Sequence, residues 1–426
     1  MRKIYRPQHL SALRGPYRSA LRGLCTATVV VAALSLGGAV HAEPAGAESV
    51  STPDVDPFYT PPADLGGYAN GAILRSRESA LFGVALPIKV WQVQYKSTDA
   101  EGRPTTGVAT VLVPDAPWTG AGPRPLVSYQ IAEDGLGIQC ASSYVLRAGL
   151  QAGTNNAQDQ EAPIAALLLQ HNWAVVISDY EGPQERFIDR GQEAHSALDG
   201  IRAAVAFAPA QLGPGAPLAA FGYSGGAFAT VSMMELQPRY APELNFTGFA
   251  AGGIPADVAA GIAMDNGTKN VGLPVFALAA LDRLSPESNI PAQVDESTRA
   301  AIAAAGQQCV QQVVTDNAFR QITDVSETAD LARNPVIAAA ATEQNPGQSI
   351  PAVPMYAWHS TLDDALPIAP VDALIDKYCA AGATVTYHRT DVPQHAPAAI
   401  AELPTVFAYL SDRLAGIPQQ GGCHTA

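Results

Sequence analysis

The chain has 426 residues, 47% of them apolar and only 15% charged, with 37 glycines and 34 prolines. So much apolar material rules out a disordered chain, and Gly and Pro without a collagen period mark turns around a packed core. The formal charge of −14 argues against a surface built for nucleic acid or anionic lipid headgroups.

The N-terminus comes first. Arg2, Lys3, Arg6, Arg14, Arg18 and Arg22 stand without an acid, and an apolar run follows from Leu24 to Val40, closing on Val40-His41-Ala42. A basic stretch, an apolar stretch and a small last residue predict an export signal over 1–42, cleaved near Ala42. The run has 17 residues, at the short limit for a membrane span. Cleavage takes six of the 25 bases and none of the 39 acids, so the mature balance is −20. Cys140, Cys309, Cys379 and Cys423 remain. In an exported chain four cysteines suggest two disulfides, with three possible connectivities. None lies in a CxxC pair and no cluster has zinc spacing, so no metal or cofactor is implied.

Residues 43–64 read as an extended leader rich in Pro, Ala, Ser and Asp. Two strands, 89–95 and 107–114, flank a turn at 98–102. Strand 126–130, helix 162–170, strand 173–178, helix 196–208, strand 218–222, helix 227–236 and strand 246–251 then alternate. Short apolar strands alternating with helices predict a parallel sheet covered on both faces. From Asp257 to about Gln348 the segments read as helical and Ala-rich, with no convincing strand. Strand 353–358, helix 371–381, strand 384–389 and helix 398–414 restore the alternation. The expected fold is α/β, with a mostly parallel central sheet over 43–256 and 349–426 and an inserted helical cap over 257–348.

Gly222-Tyr223-Ser224-Gly225-Gly226 falls between a predicted strand and a predicted helix. That is the context of a nucleophile elbow, a turn so tight that its flanks admit only small residues. The Gly225 N–H then points from the helix N-terminus at a developing oxyanion. An acid and then a histidine should follow, each just past a later strand. Asp363 or Asp364 supplies the acid, and His395, 32 residues after Asp363, the base. His171, His195, His359, His388 and His424 read as structural, and Asp179, beyond strand 173–178, as fixing loop geometry.

The pieces Ser178-Asp179-Tyr180-Glu181-Gly182, Gly222 to Gly226, Trp358-His359-Ser360-Thr361-Leu362-Asp363 and Gln394-His395 resemble the secretory lipase family over roughly residues 55–415. The resemblance implies an α/β-hydrolase fold, an acyl ester or lipid substrate and no cofactor. It selects Asp363 over Asp364. Through Tyr129-Gln130-Ile131-Ala132-Glu133-Asp134 it implies that the backbone N–H of Asp134 joins that of Gly225 in an oxyanion hole. It also implies an acyl channel within the cap. A short-ester esterase, an acyltransferase and a catalytically silent binding protein are the competing functions. At most transient contact with a lipid interface is implied, and the oligomeric state is open.

Two placements complete the expectations. Cys379 ends a helix and Cys423 lies in the tail, so their bond would tie the tail down. Cys140 and Cys309 would then staple the loop after strand 126–130 to the cap. Residues 271–284 are apolar over a wide arc. A helix from Pro274 puts Val275, Leu278 and Leu281 on one face, which is either the cap's core or the wall of an acyl channel.

Overall fold

The computed structural model describes residues 49–425 apart from 85, 154, 155 and 214. The export signal expected over 1–42 lies outside the described residues. Ten strands of the described residues form one sheet: β1 (Ile73–Glu78), β2 (Ile88–Thr98), β3 (Pro104–Pro114), β4 (Leu126–Gln130), β5 (Ala174–Ser178), β6 (Leu218–Tyr223), β7 (Phe246–Gly252), β8 (Met355–Ser360), β9 (Val385–Thr390) and β10 (Cys423–Thr425). Their spatial order is β1-β2-β3-β5-β4-β6-β7-β8-β9-β10. β1, β2, β3 and β5 pair antiparallel, and every pairing from β5 to β10 is parallel. The β2–β3 hairpin turns on Asp99, whose Oδ1 accepts the Glu101 and Arg103 N–H groups at 3.1 and 2.7 Å.

Eleven helices of the described residues follow in chain order: α1 (Ser142–Ala148), α2 (Gln158–Gln170), α3 (Arg190–Ala206), α4 (Gly225–Tyr240), α5 (Val258–Met264), α6 (Gly272–Leu284), α7 (Glu296–Ala305), α8 (Val310–Asn317), α9 (Pro335–Gln344), α10 (Ile368–Ala380) and α11 (His395–Leu414). The strand period of two sorts side chains between the faces. Ala174, Val176 and Ala220 join residues of α3, α4 and α10 in one core. Their neighbours Val175, Ile177, Ala219 and Phe221 join α2 and α11 in another. Both faces are covered, which is why these strands are apolar throughout.

The stretch between β7 and β8 holds α5 to α9 and, among the described residues, no strand. These helices share a third core, which also takes in Leu136 and Phe228. One side of this helical layer is stitched to the loop after β4. Leu136 N–H bonds Gln308 O and Val310 N–H bonds Asp134 O, both at 3.0 Å. Arg283 donates to the carbonyls of Gln184, Glu185, Leu136 and Gly306 at 2.7–2.8 Å. The disulfides are Cys140–Cys309 and Cys379–Cys423, the pairing that the placement of the cysteines suggested.

Candidate active site

Ser224 sits at the junction of β6 and α4 with φ 55° and ψ −124°, a backbone that a non-glycine residue adopts only under constraint. The flanking glycines have separate reasons. A Cβ on Gly222 would overlap Gly226 O, one on Gly226 would overlap Gln130 O, and one on Gly225 would overlap Asp134 Oδ1. So the need for small residues reaches beyond the turn to the loop after β4.

Ser224 Oγ lies 2.8 Å from His395 Nε2, and His395 Nδ1 lies 2.7 Å from Asp363 Oδ2. Asp363 Oδ1 accepts the Ala365 and Leu366 N–H groups, each at 2.9 Å, which aims the other oxygen at the imidazole. Burial pushes the Asp363 carboxyl upward, but the His395 hydrogen bond and charge and the two amides outweigh it and hold it below the ordinary range. Asp364 does not reach the ring. Its Oδ1 accepts the His395 backbone N–H at 3.0 Å and its Oδ2 pairs with Lys269 Nζ at 2.9 Å. Asn270 donates to the Asp364 carbonyl at 2.6 Å. The two adjacent acids thus have different tasks, one on the imidazole and one on the backbone and the helical layer.

Gly225 is the first residue of α4, so its N–H has no carbonyl one turn back. Asp134 adopts φ 44°. The amides beside it are committed, Glu133 N–H to Tyr180 Oη at 2.8 Å and Gly135 N–H to Glu181 at 3.0 Å. Asp134, Ser224, Gly225 and His395 line one cavity of about 380 Å³. Its apolar wall includes Val258 and Ile262 of α5, Leu273, Phe276 and Ala277 of α6, and Val310 and Val314 of α8. On α6, Val275, Leu278 and Leu281 have no exposed surface and belong to the shared core. The face predicted from the sequence is therefore core, and the face beside it meets the cavity.

The other histidines of the described residues are engaged elsewhere. His171 stacks on Trp173, His195 stacks on Tyr240, His388 pairs with Glu402 at 3.0 Å and His424 bonds Gly421 O. His359 is fully buried 3.5 Å from Asp363, with its Nε2 3.1 Å from Leu366 O, and burial lowers its pKa. Asp179 accepts both the N–H and the Oγ–H of Ser143 at 2.6 Å, fixing the start of α1. Sequence reasoning missed Gly253, where a Cβ would stand 2.8 Å from His395 Cε1. Its only signal was the paired glycine ending an apolar strand. Lys269, Asn270 and Arg283 carried no motif. Among the described residues no group of three or more His, Cys, Asp or Glu is placed to hold a metal.

The profile of the family described as "Secretory lipase" matches residues 146–422. Lipase A of Arthroderma benhamiae is 33% identical, over 88% of this chain and 82% of its own length. A Mycobacterium tuberculosis protein named "Probable inactive lipase" is 32% identical, over 86% of this chain and 83% of its own. Candida antarctica lipase A in its closed state superposes with a TM-score of 0.79 at 30% identity, covering 89% of this chain and 90% of that one.

Proposed function

The chain belongs to the secretory lipase family of α/β-hydrolases and is a carboxylic-ester hydrolase. From that premise we propose that it cleaves acyl esters through a Ser224–His395–Asp363 triad and an acyl-enzyme intermediate. In this reading His395 Nε2 takes the Ser224 proton as Oγ attacks the ester carbonyl. The tetrahedral oxyanion is held by the N–H groups of Gly225 and Asp134. His395 then passes the proton to the leaving alkoxide, and the alcohol departs. Water enters with His395 as base, the acyl–oxygen bond to Ser224 breaks, and the acid leaves. Asp363 holds the imidazole with its Nδ1–H toward the carboxylate and stabilises the imidazolium.

The observation that carries the reading is the continuous Ser224–His395–Asp363 chain, at 2.8 and 2.7 Å, on the wall of a largely apolar cavity. We read α5 to α9, within 257–348, as a cap over the hydrolase domain of 43–256 and 349–426. We also propose export, with cleavage near Ala42. The family is a secretory one, and two disulfides suit an oxidising compartment. The substrates are acyl esters, triacylglycerols among them. The test is hydrolysis of p-nitrophenyl esters from C2 to C18 by the wild type and by Ser224→Ala. Turnover that survives in Ser224→Ala would refute the reading.

A further inference from the structure

The strand period puts the last two residues of β8 on opposite faces of the sheet, and each holds a different part of the triad's frame. Ser360 Oγ donates to Val392 O at 2.6 Å and accepts the Leu362 N–H at 3.0 Å. Thr361 N–H bonds Thr390 O at 2.8 Å, and Gln394 N–H bonds Leu362 O at 3.0 Å. These bonds fasten the loop of Asp363 to the loop of His395 without help from His359. His359 has no exposed side-chain surface, and its Nε2 stands between two oxygens, Leu366 O at 3.1 Å and Asp363 Oδ2 at 3.5 Å. Oδ2 is also the oxygen that meets His395 Nδ1 at 2.7 Å. Burial holds His359 below the ordinary histidine range, so the ring is neutral and carries one proton. That proton belongs on Nε2, because a lone pair there would face two acceptors. Nδ1 is then a bare acceptor, sealed from solvent with no partner among the described residues. A buried nitrogen left unpaired is destabilising, so packing alone does not account for a histidine here. What distinguishes the residue is the nitrogen that faces the acid.

We propose that His359 is a positioning residue of the reaction, a second imidazole on the triad acid whose Nε2–H clamps the Leu366 carbonyl and adds a weak donor to Asp363 Oδ2. The turn from Asp363 to Leu366 is then closed from both sides. Leu366 gives its N–H to Asp363 Oδ1 and its carbonyl to His359. The carboxylate is held facing His395, and the neighbouring N–H dipole draws off part of its charge. The role rests on the ester-hydrolase mechanism proposed above. No proton leaves His359 in it.

Other titratable groups surround the two imidazoles. Asp372 of α10 faces His359. Asp134 of the loop after β4, Glu161 of α2 and Asp265 of the turn after α5 face His395. Asp364 takes the His395 backbone N–H and pairs with Lys269. Tyr223 packs its ring 4.9 Å from that of His395 and donates to the His395 carbonyl at 2.7 Å. Of these groups only the two imidazoles reach Asp363 Oδ2. A change at residue 359 therefore reports on that contact while the rest of the field stays in place.

The test follows kcat and kcat/KM on a soluble p-nitrophenyl ester across pH for wild type, His359→Phe and His359→Gln. In His359→Phe nothing shares Oδ2 with His395, so the carboxylate pulls harder on the imidazolium that must lose its proton before Ser224 attacks. The acid limb of kcat/KM should move to higher pH by about half a unit or more. Plateau kcat should fall about tenfold as the carboxylate loses its clamp. His359→Gln carries an amide Nε2–H that can reach the place of the imidazole one. It should return the limb to its wild-type position and the plateau to within about threefold. Histidine-selective ¹⁵N spectra of the wild type need no variant and should show His359 as the neutral Nε2–H tautomer. An Nδ1–H tautomer, a His359→Phe limb that coincides with the wild type, or a His359→Gln that behaves as His359→Phe overturns the proposal. Turnover by Ser224→Ala or His395→Ala at the wild-type rate would refute the triad reading instead.

Discussion

α6 presents two faces, and they should respond oppositely to the same replacement. Leu273 and Ala277 stand one turn apart, half-buried, on the cavity wall, whereas Leu278 has no exposed surface in the shared core. Ala277→Trp puts an indole into a space of about 380 Å³. If the ring excludes four methylenes of an acyl chain, the lost burial is about 3 kcal/mol at about 0.8 kcal/mol each. That is more than about a hundredfold in binding. kcat/KM for a C12 p-nitrophenyl ester should fall by about that factor, and for C2–C4 esters by less than about threefold. Leu278→Trp should instead overpack the core, destabilising by about 1–3 kcal/mol with no dependence on acyl length. Thermal melts and a C2–C18 series on both variants separate the cases. If Ala277→Trp slows C4 and C12 equally, α6 does not bound the acyl site.

Asp363→Asn should lower kcat by about 10⁴, because the amide cannot hold the imidazole in the required tautomer. Asp364→Asn keeps an acceptor for the His395 N–H and should stay within about tenfold, so rate assays giving the reverse order would exchange the two roles. Glu133, Glu181, Glu185 and Glu193 are buried and held above their ordinary range, chiefly by burial. They fold as acids and unfold as carboxylates. Their stability is full below the unfolded value of about 4.3 and is lost as the pH climbs toward the raised folded values. Tm should therefore drop from pH 5 to pH 8. Glu185→Gln, whose parent carboxyl oxygens both lack partners, should recover part of that loss at pH 8 and none at pH 5. A Tm that rises with pH would contradict this. Removing Cys140–Cys309 should lower both stability, by about 2–5 kcal/mol, and kcat, because the Asp134 loop loses its staple. Removing Cys379–Cys423 should lower stability alone, and calorimetry with rate assays on the paired Cys→Ala variants checks both.

What the sequence made legible follows from how strongly each feature is imprinted in local residue pattern. β4 to β8 were readable because burial on both faces favours mainly apolar runs, and β9, Val-Thr-Tyr-His-Arg-Thr, because its more and less buried residues alternate. β1 was not, since Ile-Leu-Arg-Ser-Arg-Glu is a charged edge strand with no apolar run; its Arg77 is held by Asp56, Gln92 and the Phe58 ring, far away in the chain or across the pairing. β10 has three residues, too few for any period, and exists by pairing with β9 beside a disulfide. Ser224 and His395 could be placed because strand-to-turn positions constrain chain order. The division of labour between Asp363 and Asp364 is a matter of hydrogen-bond geometry that two adjacent identical residues cannot announce. The wide apolar arc of α6 showed burial on more than one side, but which side met the cavity depended on the packing of α5, α7 and α8. Arg283 and Lys269 join segments far apart in the chain, so no spacing could have exposed them.

The central claim is that Ser224 carries the acyl group during turnover. It is tested most directly by acid-quenching the enzyme in the steady state with p-nitrophenyl butyrate and mapping its peptides by mass spectrometry. The account predicts a single butyryl group, on the peptide carrying Ser224, absent from Ser224→Ala. A butyryl group on any other residue, or turnover by Ser224→Ala at the wild-type rate, would contradict it.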